Sequence, residues 1–314
     1  MKKQHIVAVV ILIALIIVWF VIEQRESAMV EAPEVENFIG VDTSIVNKIV
    51  ISNLGGAVTL NKVADKWYLI QDESYEADAT VLNQTLGALA GMKVGNAISD
   101  NPANQIKFQV DTLTGSTVSL FAGEKKLSAV VIGKMSPDYR NTYVRLRDQN
   151  EVYLTAGTLT HLFNRKPSDW REHTIFDMRV DDVSFVEVMI GNEHYRVVKS
   201  DTSWAISLAP FSEQETADRY KVESFMASLC QLDANDFATA YDSTKYDFVD
   251  IDYMATITLS DGSSHMLEVA AVENDGDNRF ARRQGDETVF ILFDMNWKNI
   301  GKFFEDLLPD EKNS

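Results

Sequence analysis

The chain has 314 residues, 46% of them hydrophobic, and carries a formal net charge of −18 with a single cysteine, Cys230. This length is typical of about two domains, and the apolar fraction excludes wholesale disorder. The negative charge makes nucleic acid and anionic membrane surfaces poor partners, because phosphates repel an acidic surface. One cysteine excludes an intramolecular disulfide and a thiolate metal cluster.

An uncharged apolar run, Ile6–Ile22, follows Lys2 and Lys3 at the amino terminus. As a helix it spans about 26 Å, close to the roughly 30 Å of a bilayer core, and aromatic residues near its end suit the headgroup level. The run predicts one transmembrane helix, with residues 1–5 inside the cell and the rest outside. A cleaved signal peptide is the alternative, although its apolar region is usually about 7–15 residues. The anchor is marked by Ile6, Trp19, Phe20 and Ile22.

Two β-hairpin patterns lie beyond a juxtamembrane linker at residues 23–40, and they are 137 residues apart. The first leads to Trp67 in KIVISNLGGAVTLNKVADKWYLI, and the second leads to Trp204 in FVEVMIGNEHYRVVKSDTSWAIS. Each has alternating apolar residues around a turn rich in Gly or Asn, which is typical of two antiparallel strands. The repeated pattern indicates a tandem duplication.

An amphipathic helix pattern follows each hairpin, beginning near Asp78 in the first copy and near Asp218 in the second. Aspartate at such a position is a good N-cap. One apolar stripe runs along each helix at helical spacing, formed by Leu82, Leu86, Leu89 and Met92 and by Val222, Met226, Leu229 and Leu232. Further hairpins turn at Gly123 and Gly262.

Each copy therefore reads as two strands, a helix, four strands and a closing helix, near Thr158–Asn164 or Asn296–Leu307. Short turns rather than crossover helices join the strands, so the sheets are predicted to be mainly antiparallel. The predicted fold is α+β, with two tandem repeats of one sheet and two helices each. The repeats are assigned to residues 41–171 and 172–308, and the tail to 309–314.

Arginines recur at matching positions of the two copies. Arg145 in YVRLRDQNEVYL matches Arg282 in FARRQGDETVFI, and Arg140 lies shortly before the first of these segments. These three side chains are candidates for binding a carboxylate or phosphate by bidentate contact. The alternative is cross-strand pairing with the surplus acidic residues. We favour the alternative, because a duplicated feature is expected of the fold itself.

The chain resembles the bacterial family of the domain of unknown function 4340. The resemblance rests on the anchor, the Trp67 strand KWYLI, the helix ADATVLNQTLGALAGMKV, and the segments VVIGK, YVRL, VYLT and DWREHTIF. It covers residues 40–308 as two copies, with Val272 where the first copy has Gly133. It implies an extracytoplasmic protein anchored in the bacterial inner membrane and associated with ABC-type transport systems of the gliding-motility kind. It supplies no catalytic residues.

A short acidic segment, ENDGDN, is a candidate calcium loop. It places Glu273, Asp275 and Asp277 at two-residue spacing around Gly276. A calcium loop needs further oxygen ligands, whereas arginines follow here, so an acidic hairpin loop is the favoured interpretation. The five histidines are scattered without a metal-binding spacing, and no cofactor is predicted.

The patterns favour a non-catalytic scaffold, and the family resemblance implies that it is an accessory subunit of a membrane transport or motility assembly. Its expected partners are the lipid bilayer and proteins of that assembly, and not nucleic acid. One alternative is an envelope hydrolase that cleaves a glycan or polymer with a carboxylate pair between the repeats. It would need two close acids, one of them with a raised pKa. A second alternative is a solute-binding module, which would need an enclosed pocket.

Overall fold

The computed structural model describes residues 37–71, 73–200, 203–239, 248–249, 251–270 and 278–310. The chain divides into two compact units between Glu172 and His173. Of the helices that the structure describes, none combines the length and the apolar character needed to cross a bilayer. The predicted anchor, Ile6–Ile22, lies outside the described residues.

The first unit is built on an eight-stranded sheet. Its strands are β1 (Lys48–Asn53), β2 (Gly56–Val63), β3 (Lys66–Ile70), β4 (Ser74–Glu76), β5 (Ser116–Ala122), β6 (Lys125–Met135), β7 (Asn141–Leu146) and β8 (Tyr153–Ala156). Its helices are α1 (Ala79–Ala90), α2 (Gln105–Phe108) and α3 (Thr160–Phe163), with 3-10 turns at Thr43–Ile45, Pro102–Asn104 and Pro167–Trp170.

The second unit has a nine-stranded sheet and a small two-stranded one. Its strands are β9 (Thr174–Asp177), β10 (Val183–Ile190), β11 (Glu193–Lys199), β12 (Trp204–Leu208), β13 (Glu215–Thr216), β14 (Gln231–Asp233), β15 (Asp236–Phe237), β16 (Ile251–Leu259), β17 (Ser264–Ala270), β18 (Arg279–Arg283) and β19 (Phe290–Leu292). Its helices are α4 (Arg219–Cys230) and α5 (Asp294–Ile300), with 3-10 turns at Val180–Asp182 and Phe304–Leu307.

The two large sheets share one strand order, which confirms the tandem duplication. The first runs β4-β3-β2-β1-β5-β6-β7-β8, and the second runs β13-β12-β11-β10-β16-β17-β18-β19-β15. The strand pairs of the described residues are antiparallel. The prediction of a mainly antiparallel α+β fold is therefore confirmed.

The prediction of only two strands before each long helix is wrong. A turn at Ala64 and Asp65 separates β2 from β3, and a short β4 follows at the sheet edge. Ala64 has a φ of 53° and takes the left-handed conformation without being Gly or Asn, so its sequence gives no turn signal. Trp67 and Trp204 consequently lie on the third strand, in chain order, of the large sheet of each copy.

The predicted helix caps are confirmed. Asp78 Oδ1 accepts hydrogen bonds from the backbone N–H groups of Thr80 and Val81, at 2.7 and 3.0 Å. Asp218 Oδ1 accepts one from the N–H of Lys221, at 3.0 Å. The predicted stripes face the cores, since seven of their eight residues are buried and Leu86 packs partly buried against the first core. The last residue of each stripe lies beyond the helix, because α1 ends before Met92 and Leu232 lies on β14.

Each long helix is also held by the last turn of its own unit. The N–H of Asp78 donates to the carbonyl oxygen of Trp170 at 2.9 Å, and the N–H of Asp218 donates to that of Leu307 at 2.8 Å. Trp170 and Leu307 end matching 3-10 turns and are buried. We call these turns, Pro167–Trp170 and Phe304–Leu307, the closing turns. At the other end, Phe38, within the predicted linker, is buried in the first core.

The opposite face of each sheet, which we call the outer face, lies away from α1 or α4. In the first unit part of it is covered by the segment around α2, where Val110 packs with Val131 in a small second core. Gly133 permits this close approach, because a Cβ there would lie 2.5 Å from the carbonyl oxygen of Phe108. Steric crowding therefore explains why the first copy has glycine at position 133.

Candidate functional site

The guanidinium of Arg145 is buried against the backbone of its own unit. The residue is 4% exposed, and its Nε donates to the carbonyl oxygen of Val110 at 2.9 Å. Burial lowers the pKa of Arg145, and attraction to Asp111 opposes that shift. Nη1 donates at 3.2, 2.7 and 2.7 Å to the carbonyl oxygens of Leu146, Arg147 and Gln149. These contacts give Arg145 a structural role, fastening the covering segment to the sheet.

Arg282 occupies the matching position but has different partners. Its Nε donates to Glu268 Oε2 at 2.5 Å, and its guanidinium carbon lies 4.2 Å from the centre of the Phe248 ring. The alternative interpretation was that these arginines pair with acidic residues on neighbouring strands. Arg282 has such a partner, whereas Arg145 contacts backbone carbonyl groups instead. Arg140 is exposed in the turn before β7. Arg140 and Arg145 belong to the first unit and Arg282 to the second, and each has its own surroundings within its unit.

The predicted calcium loop, with Glu273, Asp275 and Asp277, lies outside the described residues, as do the anchor residues Ile6, Trp19, Phe20 and Ile22. Within the described residues, no group of three or more His, Cys, Asp and Glu side chains is arranged to hold a metal ion. Cys230 is fully buried on α4, and burial raises the pKa of its thiol to about 11. This cysteine is a core residue with a suppressed thiolate.

The outer face of the second sheet carries a continuous row of polar and sulfur-containing side chains. Directly opposed partners along it are His194 with Met189, Met189 with Met254, Met254 with Glu268, and Glu268 with Arg282. Met189 is 48% exposed, and His194 and Met254 are partly buried. Arg282 therefore lies at one end of a row of side chains that crosses five neighbouring strands.

An arginine held between two aromatic rings lies beside this row. The guanidinium carbon of Arg196 is 4.3 Å from the centre of the Phe211 ring and 4.9 Å from that of Phe185. Its Nε donates to Glu187 Oε1 at 2.8 Å. The Phe211 ring also meets the ring of His194 edge-on, with centres 4.9 Å apart. Stacking and the ion pair fix the guanidinium on the solvent side of the sheet.

The comparisons with known proteins place the chain in a family. The family model described as Domain of unknown function (DUF4340) matches residues 67–250 and 211–308. The chain belongs to the DUF4340 family. The comparison with curated proteins gave no match.

The described residues of this DUF4340 protein also form an open polar concavity of about 280 Å³ in the second unit. It is lined by residues that include His265, Arg283 and Asp286. Burial alone would raise the pKa of Asp286, but hydrogen bonds from Arg283 and the N–H of Thr288 outweigh it and hold this pKa below its ordinary value. This carboxylate stays ionised as an ion-pair partner, whereas a general acid at neutral pH needs a raised pKa.

Sequence reasoning about this DUF4340 protein missed the outer-face residues of the second unit. A partial signal was present, because Met189 and His194 alternate with the buried Val188 and Tyr195 along two predicted strands. The alternation assigns Met189 and His194 to the same solvent-facing side. The partner across β16, Met254, depends on a pairing between distant strands, and no local pattern specifies that register.

Proposed function

We propose that this protein is a non-catalytic binding scaffold and that the outer face of its second unit is the surface that receives a protein partner. The observation that carries the proposal is the composition of this face, where Met189 and Met254 lie beside the stacked Arg196 and Phe211. Methionine, aromatic residues and arginine are enriched at the centres of protein interfaces. Methionine adapts to a partner's shape, while the clamped arginine offers a rigid anchor.

The partner that we propose is a component of an ABC-type transport or motility assembly. The family resemblance supports this assignment, together with the apolar run Ile6–Ile22 that would hold the protein in the inner membrane. The two α+β units would then lie on the extracytoplasmic side, where the net charge of −18 favours solubility. The anchor would keep the binding face at a high local concentration near membrane partners.

Site-specific photocrosslinking in native membranes tests this proposal. A crosslinking amino acid replaces Met189, and a matched variant carries it at Tyr220, which is 81% exposed on α4 at the other face of the same unit. We expect a transporter component to be captured from position 189 and not from position 220. Arg196→Ala should lower that capture by about tenfold or more, as for a central anchor residue. Equal capture from both positions, or capture without any transporter component, would count against the proposal.

A further inference from the structure

The second sheet aligns one imidazole and two thioethers on neighbouring strands. Met189 on β10 is directly opposite His194 on β11 and directly opposite Met254 on β16. Side chains at directly opposed positions have Cβ atoms about 4.5–5.5 Å apart. We call these three residues the His-Met row. Met189 is its middle member and the most exposed, so an ion above Met189 can be approached by a ligand from each side.

The donor atoms of the His-Met row are not engaged by the surrounding protein. The described part of the chain offers no hydrogen-bond partner to the ring nitrogens of His194, whose ring touches only the edge of Phe211 among the aromatic residues there. The neighbouring carboxylate of Glu268 is, in contrast, taken by Arg282. The row therefore presents soft ligands, and the carboxylate directly opposite Met254 is already paired with an arginine.

The first copy provides an internal comparison for the His-Met row. In the first copy the equivalent positions hold Ala57, Ser52 and Thr117, and Ser52 lies opposite both of the others. The equivalence follows from the register, since in each copy the pair on the first two strands is the last but one before the hairpin turn. The shared strand order thus accommodates small and hydroxyl side chains at these places. The fold does not require a histidine and two methionines here, so their presence in the second copy calls for a cause other than the architecture.

We propose that the His-Met row binds a soft monovalent metal ion, Cu⁺, through the imidazole of His194 and the thioethers of Met189 and Met254. Thioether ligands select Cu⁺ over hard cations, and imidazole is a good ligand for copper. Met266 lies on the same face of the neighbouring strand β17, diagonal to Met254, and can supply a further thioether. The inference does not rest on the proposed scaffold role, because it concerns the isolated chain.

Competition with a chromophoric Cu⁺ chelator, using the purified full-length chain in detergent, tests the site. We expect one equivalent of Cu⁺ per chain, and weaker binding by about tenfold or more in Met189→Leu, Met254→Leu and His194→Gln, since even indirect partners of a metal contribute about 10–100-fold. Met295→Leu is the matched control, because Met295 is a 73% exposed methionine on α5 of the same unit. It should bind as the native chain does.

A second measurement distinguishes binding at the His-Met row from unspecific binding of the ion to any methionine sulfur. With Ag⁺ as a redox-stable substitute and 13C-labelled methionine methyl groups, the NMR signals of Met189 and Met254 should shift while that of Met295 does not. The leucine variants keep the native side-chain volume, and an unchanged spectrum of the other methyl groups verifies their fold. Equal affinity of the native chain and the Met189→Leu, Met254→Leu double variant would overturn the proposal. Binding of Zn²⁺ as tight as that of Cu⁺ would overturn it too.

Discussion

Replacing Arg145 by Met should destabilise the first unit by about 3–4.5 kcal/mol. The hydrogen bond from Nε to the carbonyl oxygen of Val110 is buried, and losing such a bond to a charged donor costs about 1.5–3 kcal/mol. The three carbonyl groups bound by Nη1 lie at the end of β7 and in the exposed turn after it, where water can replace the guanidinium, so each contributes only about 0.5 kcal/mol. Methionine fills part of the vacated volume.

Hydrogen exchange resolved by peptide measures this effect where it arises. In Arg145→Met, the amides of residues 105–114, which the guanidinium fastens to the sheet, should exchange faster. The exposed neighbour Arg147 provides the control, since Arg147→Met should change stability by less than about 0.5 kcal/mol. Unchanged exchange in residues 105–114, together with lost partner capture, would show that Arg145 is a ligand-binding group and refute the structural assignment.

Three further outcomes follow from the described contacts. Cys230 should resist a thiol reagent at pH 8 until the second unit unfolds, because it is fully buried and its pKa is about 11; rapid labelling of the folded chain would contradict this burial. Gly133→Ala should destabilise by about 1–3 kcal/mol in chemical unfolding, whereas Gly87→Ala, with open space around its added methyl group, should stabilise by about 0.5–1 kcal/mol. Asp78→Ala and Asp218→Ala should each cost about 1 kcal/mol through the lost helix cap, and equal stability would mean that water replaces it.

The duplicated architecture could be predicted because its signals are local. Asp78 and Asp218 mark two helix starts, and Gly123 and Gly262 mark two hairpin turns with positive φ, so these helix starts and turns were readable from the sequence. The strand count failed where a turn is made by Ala64, whose left-handed conformation is imposed by the flanking strands and not by its own preference.

The surroundings of the candidate residues were harder to predict, because they depend on contacts between distant segments. The partners of Arg145 are carbonyl groups, which every residue has, so no sequence pattern could name Val110 as the acceptor. Likewise, Met189 and Met254 become neighbours only through the register between β10 and β16. The sequence indicated that Arg145 and Arg282 are equivalent, and the structure adds that their surroundings have diverged.

The closing turns determine when each unit can finish folding. The N–H of Asp78 lacks its acceptor until Trp170 has been synthesised, and the N–H of Asp218 lacks its acceptor until Leu307 has been synthesised. Because each of these hydrogen bonds joins two parts of one copy, the first copy can complete its fold while the second is still being synthesised. A duplication with this layout adds a finished domain at each event, and a truncation that removes Leu307 should leave the first copy intact.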